Sequence, residues 1–340
     1  MVYVGLDVHE AQSTFCVLDS NGKKTDLRTV HGRWPMVIAM LEKYKGQCGQ
    51  EMELCFEATC GYGYLYEALS KFCKRVMVAD PSQLRLIFAS KRKTDRLDAE
   101  RLAKLVFLGE VPAVHVPSGE VRQWRELIVC REHLIRQRGA AKNTLRSQLR
   151  ANAIQAPRGL WSATGREWLK QVEFPSCGDS FRRDATMVRL AVLEDQIKEI
   201  DKYLGTVASR HPAVAVLDKV PGVGIRTAEA FVAYVDDPGR FSSIKQVGSY
   251  FGFIPSQDQS GKKERFGRVT RRGSPIVRRL MTEAAWQAVR RSPEIRSLYQ
   301  RIRRDDPART KKAIIAVAHH LARVMLALLR TGETYRATPA

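Results

Sequence analysis

The stretch VYVGLDV, residues 2–8, sets the architecture at the start of the chain. It is a short apolar run of the kind that forms a buried β-strand, and β-type runs follow at 13–19 and 27–31 after polar turns. Three such runs in succession predict an opening three-stranded meander. Asp7 lies inside the first run, where an unpaired carboxylate is expensive to bury, so the strand needs a partner for that charge.

Strands and helices alternate after the meander. A helical pattern at 35–45 leads to a buried-type strand, MELCFEA, at 52–58. A helix at 63–73, a strand at 75–80 and a helical stretch over 82–108 follow. Strands first, then alternating strand and helix, indicate a mixed α/β sheet domain.

From about residue 119 the pattern changes to long helices. One candidate helix covers 118–153, and a second has apolar residues spaced 3-4-3-4-3, which is the a/d seam of a coiled coil. An antiparallel helical hairpin and an intermolecular coiled coil both fit this pattern. The intervening segment, 155–180, contains several glycines and prolines and is predicted to be a linker. The seam consists of Leu190, Leu193, Ile197, Ile200, Leu204 and Val207.

Short helices broken by glycines are predicted beyond residue 208. In VPGVGIRTAEAFVAYV, residues 220–235, Gly222 and Gly224 form a tight turn before an apolar helix. This is the form of a helix-hairpin-helix, whose turn amides and helix N-terminus can receive a DNA phosphate; a plain turn is the alternative. The long apolar run at 313–329 contains two histidines and an arginine, which favours a packed helix over a membrane span.

The charge balance points to a polyanionic partner. Lys and Arg outnumber Asp and Glu by 57 to 36, which gives a formal net charge of +21 at pH 7. Such a chain repels itself unless its partner is a polyanion, and nucleic acid is the leading candidate. The 7 cysteines contain no C-x-x-C pair, and their odd number does not indicate a disulfide framework. A reduced, cytosolic setting fits best.

Four carboxylates could form one metal site. Asp7 lies in the first strand, Glu57 ends a later strand, and Asp95 and Asp98 follow the basic run at 91–93. Spacing i, i+3 places the two later aspartates on one helix face, and four converging carboxylates fit a Mg²⁺ site for phosphoryl transfer. The alternatives are structural, because Asp7 can pair with an arginine or lie on an edge strand. Asp95 can be an N-cap with Asp98 at N3, and the basic run can contact phosphate or solvent.

A third candidate is the basic segment GFIPSQDQSGKKERFGRVTRRG, residues 252–273, in which Ser260 lies in a polar loop rich in turn residues. A serine becomes a nucleophile only when it is activated, or when its anion and the pentavalent phosphate are stabilised. The surrounding cations could do this, although a solvated loop that binds the DNA backbone is the alternative. These cations are Lys262, Lys263, Arg265, Arg268, Arg271, Arg272, Arg278 and Arg279.

Along nearly its whole length the chain resembles the transposases of the insertion sequence 110 family, including the Piv-type invertases. The motifs that carry the resemblance are GLDVH around Asp7, FEATCGYG around Glu57, and KTDRLDAERLA with both later aspartates. VPGVG at 220–224, FSSIKQVGSYFGFIP at 241–255 and Ser260 followed by Gly261 complete the set. One departure is Cys60, which stands where the family usually has glycine.

The resemblance implies three regions. A RuvC-like (RNase H-like) α/β domain covers 1–117, an α-helical coiled-coil region covers 118–208, and a mainly α transposase domain with the helix-hairpin-helix-like element covers 209–340. The family match assigns Mg²⁺ binding to Asp7, Glu57, Asp95 and Asp98. It assigns to Ser260 the role of nucleophile, forming a transient phosphoserine link to a DNA strand.

The resemblance also implies partners. A structured bridge RNA would pair with donor and target DNA, and the carboxylates and the serine would meet across subunits of a dimer or tetramer. We expect a cytoplasmic, nucleoid-associated protein of bacteria or archaea with no membrane partner. The nucleic-acid contacts expected from the residues are Gly222, Gly224, Lys262, Lys263, Arg265, Arg268, Arg271 and Arg272.

Two other functions fit parts of the sequence. A RuvC-like endonuclease would cut DNA junctions with water and would need no serine. A non-catalytic nucleic-acid-binding scaffold would use the basic helices for binding, and the acids would only cap and pair.

Overall fold

The structure is a computed structural model that describes residues 1–88, 94–260 and 263–336, without the side chains of Ser260 and Lys263. The basic run at 91–93, predicted as a phosphate contact or a solvated loop, lies outside the described residues.

The chain divides into two compact units, Met1–Gly119 and Glu120–Ala340. A single mixed sheet organises the first unit. Its strand order is β3-β2-β1-β4-β5, with β2 antiparallel to both of its neighbours, β1 and β3, and with β1, β4 and β5 parallel. This is the mixed α/β architecture that the sequence predicts. The strands are β1 (Val2–Val8), β2 (Gln12–Leu18), β3 (Lys24–His31), β4 (Met52–Glu57) and β5 (Arg75–Ala79).

Helices cover both faces of this sheet. Buried residues of α1 and α2 pack on one face, and buried residues of α3 and α4 pack on the other. The predicted helical stretch over 82–108 corresponds to α3 and α4, with undescribed residues between them. The helices are α1 (Trp34–Cys48), α2 (Tyr62–Leu69), α3 (Pro81–Ile87) and α4 (Asp95–Leu108).

Gly5 explains how α4 comes so close to the sheet. A Cβ atom at Gly5 would lie 2.1 Å from the carbonyl oxygen of Ala99 and 2.2 Å from the backbone nitrogen of Ala103. Only glycine permits this approach, because any side chain would collide with helix backbone. The glycine of the GLDVH motif therefore sets the distance between β1 and the first turns of α4.

Two long helices run side by side in the second unit. Trp124 and Ile128 near the start of α5 share a core with Leu204 near the end of α7, whereas Leu145 packs near Leu190 at the other end. The two helices are therefore antiparallel, which is the hairpin alternative of the sequence analysis. The predicted seam is buried within this chain or packed against its core, and the intermolecular coiled coil stays a prediction. The helices are α5 (Gly119–Ala151) and α7 (Cys177–Ala208).

The predicted linker at 155–180 is wrong. It contains a nine-residue helix, α6 (Ala163–Gln171), which begins after Ser162, whose Oγ accepts a hydrogen bond from the backbone nitrogen of Gly165. Leu169 is fully buried, and Arg166 donates hydrogen bonds of 2.5 and 2.7 Å to the Glu194 carboxylate on α7. The glycines and prolines of this segment mark its turns, and the packing of the segment on α5 and α7 creates the helix.

Shorter helices around α13 complete the second unit. The segment Pro307–Thr331, which includes α13, is long and apolar enough to cross a membrane, with a mean hydropathy of 1.6. Nevertheless, eight residues of α13 are buried in the core of this unit, in agreement with the predicted packed helix. The helices are α8 (Pro212–Leu217), α9 (Ile225–Val235), α10 (Gln246–Tyr250), α11 (Pro275–Arg291), α12 (Pro293–Arg303) and α13 (Thr310–Thr331).

The segment around Ser260 is a β-hairpin, so the prediction of a loop is wrong. Strands β6 (Pro255–Ser260) and β7 (Lys263–Val269) form a two-stranded antiparallel sheet. The described side chains of β6 are all exposed, so backbone pairing forms these strands without a buried face. Alternation of apolar residues, the usual sign of a strand, is missing from such a hairpin.

Candidate metal centre

Two carboxylates lie at the same edge of the sheet in the first unit. Strands β1 and β4 are parallel, and the last paired positions in their register are Leu6 and Phe56. Asp7 and Glu57 are the next residues on the two strands. Gly5 contacts α4, and Cys55 packs with buried residues of that helix, so the period of two places both carboxylates on the face that α4 covers.

The start of α4 provides Asp95 and Asp98. The alternative in which Asp95 is the N-cap is excluded, because Thr94 occupies that position and its Oγ1 accepts a hydrogen bond from the backbone nitrogen of Leu97 at 3.2 Å. Both aspartates are therefore inside the helix, three residues apart and on one face. Ala99, which contacts the sheet at Gly5, follows directly. The helix that packs on β1 thus carries both carboxylates to the end of that strand.

Asp7 and Asp95 meet around His9. The His9 Nε2 atom lies 3.3 Å from Oδ2 of Asp7 and 3.7 Å from Oδ1 of Asp95. The three side chains each offer a ligand atom within 4.8 Å of one another. The amide nitrogen of Gln12 donates a hydrogen bond of 2.8 Å to Oδ2 of Asp95 and orients that carboxylate. Asp98 is held separately, with Oδ1 3.4 Å from Nη1 of Arg101.

The charges of this cluster are incompletely balanced. Burial raises the pKa of Asp7, and the negative charges of Asp95 and Asp98 raise it further, whereas His9 opposes the shift. The Asp7 side chain is only 16% exposed, so water cannot fully solvate its charge. A site that brings like charges together at the end of a strand gains stability from a bound cation.

The donor set fits a divalent metal. Asp7 and Asp95 supply carboxylate oxygens, which are the ligands that Mg²⁺ prefers, and their incompletely balanced charge calls for a cation. Glu57 is exposed at the end of the neighbouring strand. The strand register places it beside Asp7, and among the described contacts none joins these two side chains. The structure therefore brings Asp7, Asp95 and His9 together, and it places Glu57 and Asp98 next to them.

His9 and Gln12 were missed by the sequence analysis. Both lie near Asp7 in sequence, and His9 is two residues beyond it, which is the spacing of one strand face. Only acids were considered there as metal ligands. The GLDVH motif itself contained the signal for His9.

The basic hairpin is built on a tightly packed base. A Cβ atom at Gly252 would lie 2.4 Å from the backbone nitrogen of Arg272, and one at Gly273 would lie 2.1 Å from the carbonyl oxygen of Tyr250. The Arg278 guanidinium donates to the carbonyl oxygens of Phe251 and Gly273 at 3.2 and 3.1 Å. Arg278 therefore closes the base of the hairpin and is engaged within the fold.

The other predicted nucleic-acid contacts lie around this hairpin. Arg265, Arg268, Arg271 and Arg272 are exposed, so they are free to meet an anion. Ser260 ends β6, and its side chain lies outside the described residues, as do Gly261, Lys262 and the side chain of Lys263. Their predicted roles stay predictions.

Gly222 and Gly224 form the turn between α8 and α9, but they differ in their surroundings. Gly222 has a φ of +81°, and a Cβ there would lie 2.4 Å from the backbone of α11 at Ala284 and Ala288. Packing therefore requires glycine at this position. Gly224, by contrast, is exposed, and a Cβ there would meet nothing within 4 Å. A phosphate contact at either glycine stays a prediction.

Comparison with known proteins identifies the family. A model of the DEDD transposases of IS110 elements matches residues 4–152, and a model described as transposase IS116/IS110/IS902 family matches residues 214–300. Together they cover more than half of the chain. The chain belongs to the IS110 family of transposases. The first match contains all four carboxylates of this transposase, and the second contains its basic hairpin.

Relatives from several bacteria are similar over most of the transposase. The transposase for insertion sequence element IS1111A of Coxiella burnetii is 22% identical over 98% of this chain and 91% of its own length. The transposase for IS1533 of Leptospira borgpetersenii is 27% identical over 84% of this chain and 85% of its own. The protein y4qE of Sinorhizobium fredii, named provisionally as a transposase, is 28% identical over 88% and 75%.

Proposed function

We propose that this IS110-family transposase catalyses DNA strand exchange for its insertion sequence, using a Mg²⁺-binding carboxylate centre and Ser260 as nucleophile. The observation that carries the proposal is the meeting of Asp7, Asp95 and His9 within 4.8 Å at the end of the central strand. Glu57 and Asp98 complete the set from the neighbouring strand and the next helical turn.

The four carboxylates form the metal-binding part of the proposed site. Asp7, Asp95, Glu57 and Asp98 would hold the metal, which supplies positive charge to a scissile phosphate. Gln12 keeps the Asp95 carboxylate in one orientation through its hydrogen bond of 2.8 Å. His9 lies between two of the carboxylates, with Nε2 3.3 Å from Asp7 and 3.7 Å from Asp95, and can donate a hydrogen bond to Asp7.

Ser260 performs the covalent step in this proposal. Its hydroxyl oxygen forms a bond to the phosphorus, and the bond between phosphorus and the leaving deoxyribose oxygen breaks. That oxygen takes up, through solvent, the proton that serine loses. The hydroxyl of the incoming strand then attacks the phosphoserine and restores the serine. Exposed arginines of the hairpin, Arg265 and Arg268 among them, stabilise the added negative charge.

Guidance by RNA and assembly are further parts of the proposal. The net charge of +21 and the family membership support two nucleic-acid partners, a bridge RNA and the DNA that it pairs with. An oligomer, either a dimer or a tetramer, would bring a carboxylate centre and a serine to one phosphate. This activity belongs in the cytoplasm, on the nucleoid of a bacterium or archaeon.

A strand-exchange assay tests the proposal. The full chain is combined with the element's ends, a target DNA and the structured RNA encoded beside the gene, and joined DNA is quantified. Asp7→Asn and Ser260→Ala should each abolish joining while RNA binding is retained. Two control variants remove the same kind of group at positions with no proposed role, and both should keep joining activity. They are Glu42→Gln, exposed on α1, and Ser256→Ala, in the same strand as Ser260. Full activity of Asp7→Asn or Ser260→Ala would contradict the proposal.

A further inference from the structure

A second concave site opens beside the carboxylate centre in the first unit. It is a pocket of about 610 Å³, within the range of roughly 300–1,000 Å³ that holds small organic ligands. The end of β1, the start of α1 and the loop after β4 form its walls. Its lining residues include His9, Glu10, Arg33, Trp34, Cys60 and Tyr64.

The Trp34 indole is fixed as one wall of this pocket. Its Nε1 atom donates a hydrogen bond of 3.1 Å to the carbonyl oxygen of His9. Its benzo edge rests against Gly61, where a Cβ atom would lie 2.7 Å from Cη2 and Cζ3. Gly61 has a φ of +80°, so glycine is required there both for backbone conformation and for room. Contacts at both ends of the indole hold it ready for a flat ligand.

Tyr64 supplies a second aromatic surface. Its ring is nearly parallel to that of Trp34, with an interplanar angle of 23° and ring centroids 6.3 Å apart. At this separation the two rings form a stacked pair, which presents a shared aromatic surface in the pocket. Tyr64 is 53% exposed, and Arg33 is exposed beside the same pocket. A flat ring that carries a phosphate nearby suits two aromatic faces and a guanidinium.

His9 joins the pocket to the carboxylates. Its imidazole lies 3.3 Å from Asp7, and its backbone carbonyl holds Trp34. A phosphate bound at the carboxylates would therefore place its own nucleoside at the mouth of the pocket. We propose that the pocket receives an unpaired nucleobase of the DNA strand whose phosphate lies at the carboxylate centre. The choice of strand rests on the proposed function, whereas recognition of a base rests on the aromatic pair.

Cys60 allows the occupant to be identified. Its thiol is exposed in the pocket wall, and two other exposed cysteines, Cys130 and Cys177, lie in the second unit. A short single-stranded oligothymidylate that carries one cytosine with a tether ending in a mixed disulfide is incubated with the full chain; attack by a cysteine thiolate on the tether sulfur releases the small thiol of that disulfide. We expect a disulfide to Cys60 in excess over Cys130 and Cys177. Cys60→Ser should remove it.

Tyr64→Ala tests the aromatic pair. Loss of a stacking surface should lower the yield of the Cys60 cross-link about tenfold, because base–aromatic stacking contributes roughly that factor or more. Tyr203→Ala is the matched control, since Tyr203 is 68% exposed on α7 in the second unit. Equal labelling of the three exposed cysteines, or an unchanged Cys60 yield in Tyr64→Ala, would overturn the proposal.

Competition separates a strand from a free nucleotide. Unlabelled oligothymidylate should suppress the Cys60 cross-link far better than thymidine monophosphate at equal nucleotide concentration. Equal suppression would mean a pocket for free nucleotides and would overturn the proposal.

The cross-link is measured independently of strand exchange, so the pocket and the proposed function can fail separately. A specific cross-link without strand exchange in the wild type would refute the proposed function and support the pocket. Strand exchange without a specific cross-link would refute the pocket alone.

Discussion

The carboxylate centre and the basic hairpin are built in opposite ways. The carboxylates lie on the ends of sheet strands and on a helix that touches β1 through Gly5, and their charges are partly buried. The hairpin strands pair only with each other among the described residues, and their described side chains are mostly exposed. The function of the carboxylate centre therefore depends on exact packing geometry, and that of the hairpin depends on its total positive charge. Substitutions should reveal this difference in the size and kind of their effects.

Gly5→Val should have the largest effect on the carboxylate centre. The added side chain would collide with the backbone of α4 at Ala99 and Ala103, and moving the helix would separate Asp95 from Asp7. We expect loss of strand exchange and roughly 1–3 kcal/mol less stability, as for other overpacked cores. Urea unfolding and calorimetric Mg²⁺ binding measure the two effects. Gly46→Val is the control, since a Cβ there meets nothing within 4 Å, and equal effects of both variants would contradict the close helix packing.

Asp95→Asn should separate metal binding from helix capping. We expect Mg²⁺ affinity to fall at least about tenfold, because a charged ligand is lost from the cluster. Thr94→Ala removes the cap itself and should cost about 1 kcal/mol of stability with little change in Mg²⁺ affinity. Calorimetry under conditions where both variants are fully folded gives the affinity. An unchanged affinity in Asp95→Asn would favour a purely structural role for this residue.

Glu229 in the second unit is a buried carboxylate that is paired with an arginine. Burial raises its pKa to about 7, while Arg226, whose Nη1 atom lies 2.7 Å from Oε2, opposes the shift. In the unfolded chain the side chain has the ordinary glutamate pKa of 4.5, so between these two values the folded chain holds a proton that the unfolded chain has lost. Stability from the raised pKa is therefore present at low pH and is lost as pH rises through about 7.

Glu229→Gln should remove that pH dependence. We expect the free energy of unfolding of the wild type to fall by about 1–3 kcal/mol between roughly pH 5 and pH 8 because of Glu229. This contribution should be absent from the variant. Urea unfolding at both pH values measures the difference. Glu283→Gln, at an exposed position on α11, is the control and should follow the wild type. A pH profile of Glu229→Gln that matches the wild type would contradict the raised pKa.

Single arginines of the hairpin should have the smallest effects. Arg265→Ala and Arg268→Ala should each weaken DNA binding a few-fold and reduce the slope of log affinity against log salt by about 1. Arg189→Ala, at an exposed position on α7, should leave both values unchanged. Fluorescence anisotropy over a salt series measures them. A large loss that salt does not affect would mean that the hairpin arginines hold structure instead of contacting phosphate.

Much of the carboxylate centre could be predicted from sequence because it depends on strand periodicity. Asp7 inside an apolar run and Glu57 at the end of another run are visible as anomalies, and parallel pairing brings such positions to one edge. The cap at Thr94 was missed because Asp95 is an equally good capping residue on propensity alone.

The helix α6 and the hairpin were missed for a different reason. Leu169 is buried by α5 and α7, which are distant in sequence, and β6 has no apolar alternation at all. In both places tertiary packing or backbone pairing creates structure that local composition does not encode. The pocket lined by Trp34 and Tyr64 was likewise not predicted, since these residues come from separate helices that only the fold brings together.

The central claim is that Ser260 attacks DNA with the help of the carboxylate centre. Trapping of protein–DNA adducts under denaturing conditions tests it, with the full chain, its RNA, radiolabelled DNA and Mg²⁺. The wild type should give an adduct that maps to the peptide containing Ser260, and Ser260→Ala, Asp7→Asn and addition of a chelator should each abolish it. DNA cleavage by the wild type without any adduct, or an undiminished adduct in Ser260→Ala, would contradict the claim.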